Sequence, residues 1–326
     1  MKILMVGTGV IGAMYGKVLA EKYDVTHYVR AQKLQAMDNR EIPFDLLDER
    51  QDRKHRFVTG TYTFHCTAKA DDSYDLIIVP VKATQLVEAL STLVRQAPNT
   101  KYLLFTLDWQ NGPAIDSLLR RDQYIMGYAG GGGTFKDSLL WANVGNDVML
   151  GANYPEQKEL LESTVALFKA CGIMPEIPEN PLHWLWMHNI SAAPFGVAMG
   201  QYLNVGTLVR DRKMVKLSFQ AMRECFLICK RRGVDMNQFP EFKMYQLPLG
   251  LVHLLFLLNF KMNPAMARFT AHAADSVDEM KANFMEIYQS GLEYAIDMPA
   301  MRKLRKMIAM GSPKDNAMPK EYAAAK

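Results

Sequence analysis

The sequence is poor in the features that define several large classes of protein. It has only four cysteines (Cys66, Cys171, Cys225 and Cys229), and none of them stands in a CxxC pair or near histidines at zinc-ligand spacing. This scatter argues against a disulfide framework, predicts no metal site and is typical of free thiols in a reducing compartment. The formal net charge of +4 over 326 residues is too small to predict nucleic-acid binding, but it suits a small anionic ligand.

Long apolar runs are also scarce. The longest, LPLGLVHLLFLLNF at 247–260, has 14 residues, whereas a membrane-spanning helix needs about 20. We therefore predict a core or dimer-interface helix at this point, a possible homodimer and no membrane association. The N-terminal apolar run is interrupted by glycines and soon followed by EKYD, which is unlike a signal peptide, so a cytoplasmic location is expected.

Strand-like and helical patterns alternate through the first half of the chain. Short apolar strands are indicated at 2–7, 24–30, 75–81, 101–107 and 123–129, and helices at 83–94 and 156–172. After the prolines at 175, 178 and 181 the pattern is helical, and no segment resembles a strand. This predicts an α/β N-terminal domain over 1–178 and an all-helical C-terminal domain, for substrate binding or dimerisation, over 179–326.

Two glycine-containing segments near the end of the first half favour turns or loops. The segment 139–152 resembles a hairpin that reverses at Gly145–Asn146. The run GGGG at 130–133 follows a predicted strand, where it would either let the backbone approach a ligand closely or form a mobile loop.

A glycine-rich turn follows the first strand. GTGVIG occupies residues 7–12, within a strand–turn–helix–strand unit of about 30 residues. In this fingerprint the first glycine allows the tight turn, the second lets the backbone approach a pyrophosphate, and the third lets the helix pack on the strand. We therefore predict a Rossmann-type domain that binds a dinucleotide through Gly7, Gly9, Val10, Ile11 and Gly12. An ordinary glycine turn is the alternative.

The residue at the end of the second strand indicates which dinucleotide is bound. NAD-binding domains place a carboxylate there to accept hydrogen bonds from the ribose, whereas this sequence has Arg30, with Lys33 nearby. A guanidinium pairs with a 2′-phosphate that a carboxylate would repel. Arg30 therefore predicts NADP, unless it is simply a solvated arginine.

Together these features resemble the ketopantoate reductase (2-dehydropantoate 2-reductase) family. The likeness is carried by MKILMVGTGVIGAMYG, by Arg30, by DLIIVPVKATQLVEAL and by QNGPA at 110–114. It continues more weakly through LWMHNI, GTLVRD at 206–211 and AIDMP at 295–299, so it covers nearly the whole chain. The resemblance implies that NADPH gives a hydride to the keto group of a small anionic 2-keto acid.

The resemblance also implies roles for single residues. Lys82 matches the family lysine after the third strand, close to the cofactor ribose or the substrate, and Asn111 matches the asparagine near the nicotinamide ribose. Glu279 matches a substrate-orienting glutamate, and Glu224 a glutamate of the preceding long helix. The alternatives to these roles are purely structural: a solvated loop lysine, an Asn-Gly turn and glutamates on a helix surface.

The chain departs from the family pattern around one histidine. The family's catalytic lysine stands two residues after a tryptophan, and here His188 stands two residues after Trp186. The asparagines that the family places four and eight residues later are replaced by Ala192 and Gly196. An imidazole that titrates near neutrality could protonate the developing alkoxide, so His188 is the candidate general acid. A histidine packed in a helical core is the alternative.

The leading hypothesis is an NADP-dependent reductase of a 2-keto acid, with His188, Lys82, Asn111 and Glu279 as catalytic candidates. Ketopantoate and other 2-keto acids remain open as the substrate. Two further functions also stay open. One is an NADP-binding sensor or interaction protein that has lost catalysis, and the other is an opine-type dehydrogenase that joins an amino acid to a keto acid.

Overall fold

The computed structural model describes residues 1–202, 205–275 and 277–309, and it divides the chain into two compact units, Met1–Leu185 and Trp186–Lys326. The sequence had predicted a boundary at 178/179. The division instead falls within a helix, Pro181–Met199, because the first turn of that helix packs on the first unit. Leu185 is fully buried in a cluster of the first unit.

The first unit is built on one mixed sheet. Within the described residues it has ten strands: β1 (Lys2–Val6), β2 (Asp24–Tyr28), β3 (Glu41–Asp48), β4 (Phe57–Thr63), β5 (Cys66–Thr67), β6 (Leu76–Val79), β7 (Lys101–Phe105), β8 (Tyr124–Lys136), β9 (Leu139–Gly151) and β10 (Met174–Glu176). Their order is β4-β3-β9-β8-β7-β6-β1-β2-β5, and β10 pairs with β9.

Five helices accompany this sheet in the described part of the first unit: α1 (Val10–Leu19), α2 (Ala31–Met37), α3 (Ala83–Gln96), α4 (Gly112–Leu118) and α5 (Lys158–Ala170). Alternate residues of β1 face opposite sides of the sheet, as the strand geometry requires. Ile3 packs in the cluster beneath α1, and Leu4 in the cluster beneath α3. α5 ends just before Gly172, which has φ +75°, so the predicted stop is confirmed.

The strands that carry the glycine turn and its neighbours run parallel and end at the same edge. Val6 of β1 lies opposite Tyr28 of β2, and Val79 of β6 lies opposite Leu104 of β7. The chain moves from β1 to β2 on one side and returns through β6 and β7 on the other, so the strand order reverses beside β1. Ligands of open α/β sheets bind at the carboxyl ends of the strands at such a reversal.

The four glycines at 130–133 lie inside β8, so the expectation of a loop after a strand is wrong. β8 pairs antiparallel with β9 through this run, with an irregular register at the glycines. A Cβ atom on Gly130 or Gly131 would overlap the β9 backbone at Asp147 or Asn143. At these two positions glycine is therefore required by the close approach of the two strands.

The turn predicted at Gly145–Asn146 is also wrong, because β9 is continuous through these residues. The chain reverses earlier, between β8 and β9, where Asp137 has φ +55°. A Cβ on Gly145 would lie 2.9 Å from the carbonyl carbon of Gly130, so glycine at this position also allows β8 and β9 to approach closely. The sequence pattern also missed β3 and β4, which extend the sheet beyond β9.

The second half of the chain is helical, as predicted. From residue 181 onward the described residues form helices and their connections: α6 (Pro181–Met199), α7 (Val205–Arg210), α8 (Arg212–Arg231), α9 (Pro240–Tyr245), α10 (Leu249–Met262), α11 (Pro264–Asp275), α12 (Val277–Glu293) and α13 (Pro299–Ala309). The four cysteines are free thiols, and Cys225 and Cys229 are buried on α8.

The apolar run 247–260 forms α10, but most of it is not core. Val252 and His253 are the buried residues of this helix, whereas Leu254 is 50% exposed and Leu258 is 45% exposed. The expectation of a core helix is therefore wrong for the isolated chain, and the dimer interface stays a prediction. Among the described residues, no helix combines the length and apolar character needed to cross a membrane.

Candidate active site

The glycine turn after β1 has the geometry that a dinucleotide fingerprint needs. Gly7 has φ +85°, a left-handed conformation that only glycine adopts without strain. A Cβ on Gly12 would lie 2.7 Å from the Gly7 carbonyl oxygen, so the helix can approach the turn only with glycine at this position. At Gly9, by contrast, a Cβ would meet no atom within 4 Å. Space is therefore open beside the second glycine.

This open space lies at the N-terminus of α1. Gly9 is the N-cap, and Val10 and Ile11 form the first turn, partly buried against the core. The first N–H groups of a helix have no partner within the helix, and the helix dipole favours negative charge at this end. The turn and the helix together are suited to hold a pyrophosphate.

Arg30 stands at the same edge of the sheet as the turn. It follows β2 as the N-cap of α2, and its side chain is exposed, as is that of Lys33. The Gly7 N–H donates to the Tyr28 carbonyl at 2.8 Å, which ties the glycine turn to the end of β2. Two cationic side chains therefore follow the strand next to the turn.

The loops after β6 and β7 bring Lys82 and Asn111 together. Lys82 is the half-buried N-cap of α3, three residues beyond the end of β6. Asn111 precedes α4, and its side-chain amide donates to the carbonyl of Ala83, the residue after Lys82, at 3.4 Å. The Asn111 backbone N–H donates to the Asp108 carboxylate at 2.8 Å. Both candidates thus lie on the switch-point side of the sheet, in adjoining loops.

Sequence reasoning missed Asp108. This residue is 2% exposed and shapes the loop that carries Asn111. A carboxylate three residues before a turn asparagine is a local signal of a side-chain-capped turn, and it could have been recognised. A glycine at 112 then opens α4 with Pro113 in its first turn.

His188 lies in the middle of α6, within the helical unit. Its side chain is half-buried, and this burial lowers the pKa of the imidazole to about 4. The expectation that it titrates near neutrality therefore does not hold for the unliganded protein. At pH 7 the imidazole is neutral, since burial disfavours the charged form.

Ala192 and Gly196 stand where the resembling family has asparagines, and the structure explains the glycine at 196. A Cβ on Gly196 would overlap the Cβ of Met280 on α12, so α6 and α12 cross here with no room for a side chain. A Cβ on Gly200, one turn further on, would lie 3.1 Å from Val277. An asparagine at 196 therefore cannot be accommodated without moving the helices apart.

Glu279 is the half-buried neighbour of Met280, in the first turn of α12. The contact between Gly196 and Met280 places this turn against α6 two turns beyond His188. Along the axis of α6, the eight residues from His188 to Gly196 correspond to about 12 Å. The role of Glu279 towards the substrate stays a prediction.

Glu224, the other family glutamate, has a structural role. Its two carboxylate oxygens accept the backbone N–H groups of Ala300 and Met301, each at 2.8 Å. These N–H groups belong to the first turn of α13 and have no partner within that helix. Burial raises the pKa of the Glu224 carboxyl, although the two bonds oppose this shift. Glu224 thus anchors the start of α13 on α8.

Comparison with known proteins gives a consistent assignment. Residues 3–150 match the family model described as ketopantoate reductase PanE/ApbA. A 2-dehydropantoate 2-reductase of Pyrococcus horikoshii is 23% identical over 251 residues, which cover 74% of this chain and 77% of that protein.

Solved structures share the fold over almost the whole length. The PanE/ApbA family ketopantoate reductase from Ralstonia eutropha JMP134 superposes with a TM-score of 0.69 at 19% identity, covering 95% of this chain and 98% of that one. D-mandelate dehydrogenase, solved with NADH and anilino(oxo)acetate, superposes with a TM-score of 0.72 at 13% identity and the same coverage.

A Rossmann-like sheet unit with this glycine turn, followed by a helical unit, defines the class as a two-domain oxidoreductase. Within that class the chain is similar to ketopantoate reductases: residues 3–150 match that family's model, and the Pyrococcus horikoshii relative aligns over 74% of this chain. On α6 the chain has His188, Ala192 and Gly196 at the positions discussed above.

Proposed function

We propose that this protein is an NADP-dependent reductase that converts a 2-keto acid into a 2-hydroxy acid. The observation that carries the proposal is the turn at Gly7, Gly9 and Gly12. Gly7 is required by its left-handed conformation and Gly12 by its close contact with the Gly7 carbonyl, whereas Gly9 faces open space at a helix N-terminus. A glycine that no neighbour requires, at such a position, is explained by the close approach of a ligand's phosphates.

The residues at the carboxyl edge of the sheet fit NADP. The turn and the first N–H groups of α1 would hold the pyrophosphate, and Arg30 would pair with the 2′-phosphate. When bound, NADPH supplies the hydride. Lys82 and Asn111, in adjoining loops beside the turn, offer a cation and an amide to the ribose or to the substrate carboxylate.

His188 is proposed as the group that protonates the developing alkoxide. Its imidazole is neutral in the unliganded protein at pH 7, since burial lowers its pKa to about 4. A bound carboxylate and a developing alkoxide are both negative, and a nearby negative charge raises the pKa of an imidazole. Substrate binding would therefore raise the pKa of His188, and the imidazole would take up the proton that the reaction consumes.

The direct test is an assay of NADPH oxidation with a panel of 2-keto acids that includes ketopantoate, pyruvate and an aromatic 2-keto acid. The aromatic compound belongs in the panel because the related D-mandelate dehydrogenase was solved with anilino(oxo)acetate. We expect saturable turnover with at least one of these acids in the absence of any amine. Turnover that requires an added amino acid would instead indicate the opine-type reaction.

Arg30 provides a prediction about cofactor choice. Arg30→Ala is expected to raise the KM for NADPH about tenfold or more, with little change in the KM for NADH, because a charge-assisted bond to the 2′-phosphate contributes about 1.5–3 kcal/mol. Lys22→Ala is the matched control, since it removes the same charge from an exposed residue before the opposite end of β2. Equal effects of the two variants, or no change in the NADPH/NADH preference, would contradict NADP as the cofactor.

A second function is favoured by the lack of room for a side chain at Gly196, next to Met280. If α6 has lost polar groups that catalysis needs, the protein would bind NADP and act as a sensor or an interaction module. Tight NADPH binding measured by calorimetry, together with no turnover across the panel, would support this function over the first.

A further inference from the structure

A fully buried histidine lies directly beneath the glycine turn. His27 is on β2, is 0% exposed, and packs edge-on against the ring of Phe64 at 4.8 Å between ring centroids. Its Nδ1 lies 2.9 Å from the Gly7 carbonyl oxygen, and its Nε2 lies 2.9 Å from the Tyr62 hydroxyl. This chain of contacts links β4 to the turn through the interior of the first unit.

The partners of His27 determine where its proton lies. A carbonyl oxygen only accepts hydrogen bonds, so Nδ1 must carry the proton and donate to Gly7. Burial lowers the pKa of His27 to about 4, so the ring is neutral at pH 7 and Nε2 is an acceptor. The Tyr62 hydroxyl therefore donates to Nε2, and burial raises the pKa of Tyr62, which keeps that proton in place.

Gly16 of α1 leaves the space in which His27 and Tyr62 meet. A Cβ on Gly16 of α1 would lie 2.6 Å from Nε2 of His27 and 3.0 Å from the Tyr62 hydroxyl oxygen. Gly16 lies outside the dinucleotide fingerprint, and the space that it leaves is filled by the histidine–tyrosine contact. The pair is thus packed as a unit between α1 and the sheet.

The bond to Gly7 orients the turn. In a planar trans peptide the C=O and the following N–H point in opposite directions. The Gly7 carbonyl points inward to His27, so the Thr8 N–H points away from the core. The Gly7 N–H is also held, by the Tyr28 carbonyl at 2.8 Å. Both sides of the turn's left-handed residue are therefore bonded to β2.

We propose that His27 is a positioning residue for dinucleotide binding, which orients the Gly7–Thr8 peptide through its Nδ1–H while Tyr62 selects the tautomer. This inference rests on the proposed function. His27 touches neither the cofactor nor the reacting atoms. It acts through the turn, so its loss should weaken cofactor binding and leave the chemical step intact.

The test compares side chains that keep or lose the donor to Gly7. The amide nitrogen of asparagine can occupy the place of Nδ1, whereas the amide of glutamine reaches instead towards the place of Nε2. We expect the Kd for NADPH, measured by calorimetry, to stay within threefold in His27→Asn. It should rise at least tenfold in His27→Gln and His27→Leu. Tyr62→Phe, which removes the hydroxyl that selects the tautomer, should give an intermediate increase. At saturating NADPH, kcat should stay within threefold in all four.

Leu167→Ala is the matched control for a purely structural role. Leu167 is a buried residue of α5 in the same hydrophobic cluster as Phe64, so this variant should lower the melting temperature and leave the Kd unchanged. If His27→Leu behaves in the same way, or if His27→Asn and His27→Gln bind NADPH equally well, the positioning role is wrong. If His27→Leu does not fold, the comparison of the Asn, Gln and Tyr62 variants decides. Wild-type protein that binds no dinucleotide would instead overturn the proposed function itself.

Discussion

Replacing His188 by alanine is expected to lower kcat for keto-acid reduction by about 100-fold or more, the contribution of a general acid. The KM for NADPH should change little, because the cofactor is proposed to be held by the glycine turn and Arg30. Steady-state kinetics with the best keto acid of the panel would measure both quantities. Calorimetry would confirm that the variant still binds NADPH.

Ser191→Ala is the control for this substitution. Ser191 lies on the same helix, and its hydroxyl donates to the Met187 carbonyl at 2.9 Å. We expect kcat of this variant to remain within about twofold, since removing one polar group of α6 should not by itself affect the reaction. Equal losses in the two variants would show that α6 is merely sensitive to change, and an unchanged kcat in His188→Ala would remove His188 from the mechanism.

The pH dependence gives an independent check. The profile of kcat/KM reports groups of the free enzyme, in which the pKa of His188 is about 4. Because the protonated imidazole is the proposed acid, kcat/KM for reduction should fall as pH rises above about 4. The profile of kcat should fall only at higher pH, since the bound carboxylate raises that pKa. In His188→Gln the same limb should be absent, and a flat wild-type profile between about pH 5 and 8 would contradict this assignment.

The second large effect is expected from Gly9→Ala. Gly9 has φ −69° and ψ 178°, which alanine adopts freely, and its Cβ would meet no atom of the protein within 4 Å. The free energy of unfolding should therefore change by less than about 1 kcal/mol. The added methyl group would, however, occupy the space proposed for the pyrophosphate. Losing one or two charge-assisted bonds there raises the Kd for NADPH about 100-fold.

Gly12→Ala should behave in the opposite way. Its Cβ would lie 2.7 Å from the Gly7 carbonyl oxygen, and backbone cannot move aside as a flexible side chain can. We expect a loss of about 1–3 kcal/mol in unfolding free energy, typical of overpacking. Chemical denaturation and NADPH titration of both variants would separate the two effects. Unchanged NADPH affinity in Gly9→Ala would mean that no ligand approaches the backbone there.

Much of the first unit could be predicted because its signals are local. The β1–turn–α1–β2 unit follows from one apolar strand, three glycines at fixed spacing and a helical pattern within about 30 residues. The end of α5 near Gly172 follows from the backbone freedom of glycine. The helical second half follows from its periodicity, which depends only on residues three or four apart.

The incorrect predictions concern glycines and apolar residues whose meaning depends on distant partners. Gly130, Gly131 and Gly145 favour turns by their local preference, yet they lie in paired strands because the backbones of β8 and β9 approach too closely for side chains. In the same way, the leucines of α10 predict burial, but hydrophobicity alone does not determine which side of a helix is covered.

The sequence by itself determined the dinucleotide-type turn, the cationic residue after β2 and the division into an α/β half and a helical half. These are properties of short segments, in which glycine conformation, charge and periodicity act directly. Only the tertiary structure decided that His27 supports the Gly7 carbonyl, that Glu224 anchors α13 and that Met280 excludes a side chain at Gly196. These roles arise from contacts between residues 20 to 84 positions apart, and chain folding alone brings such residues within bonding distance.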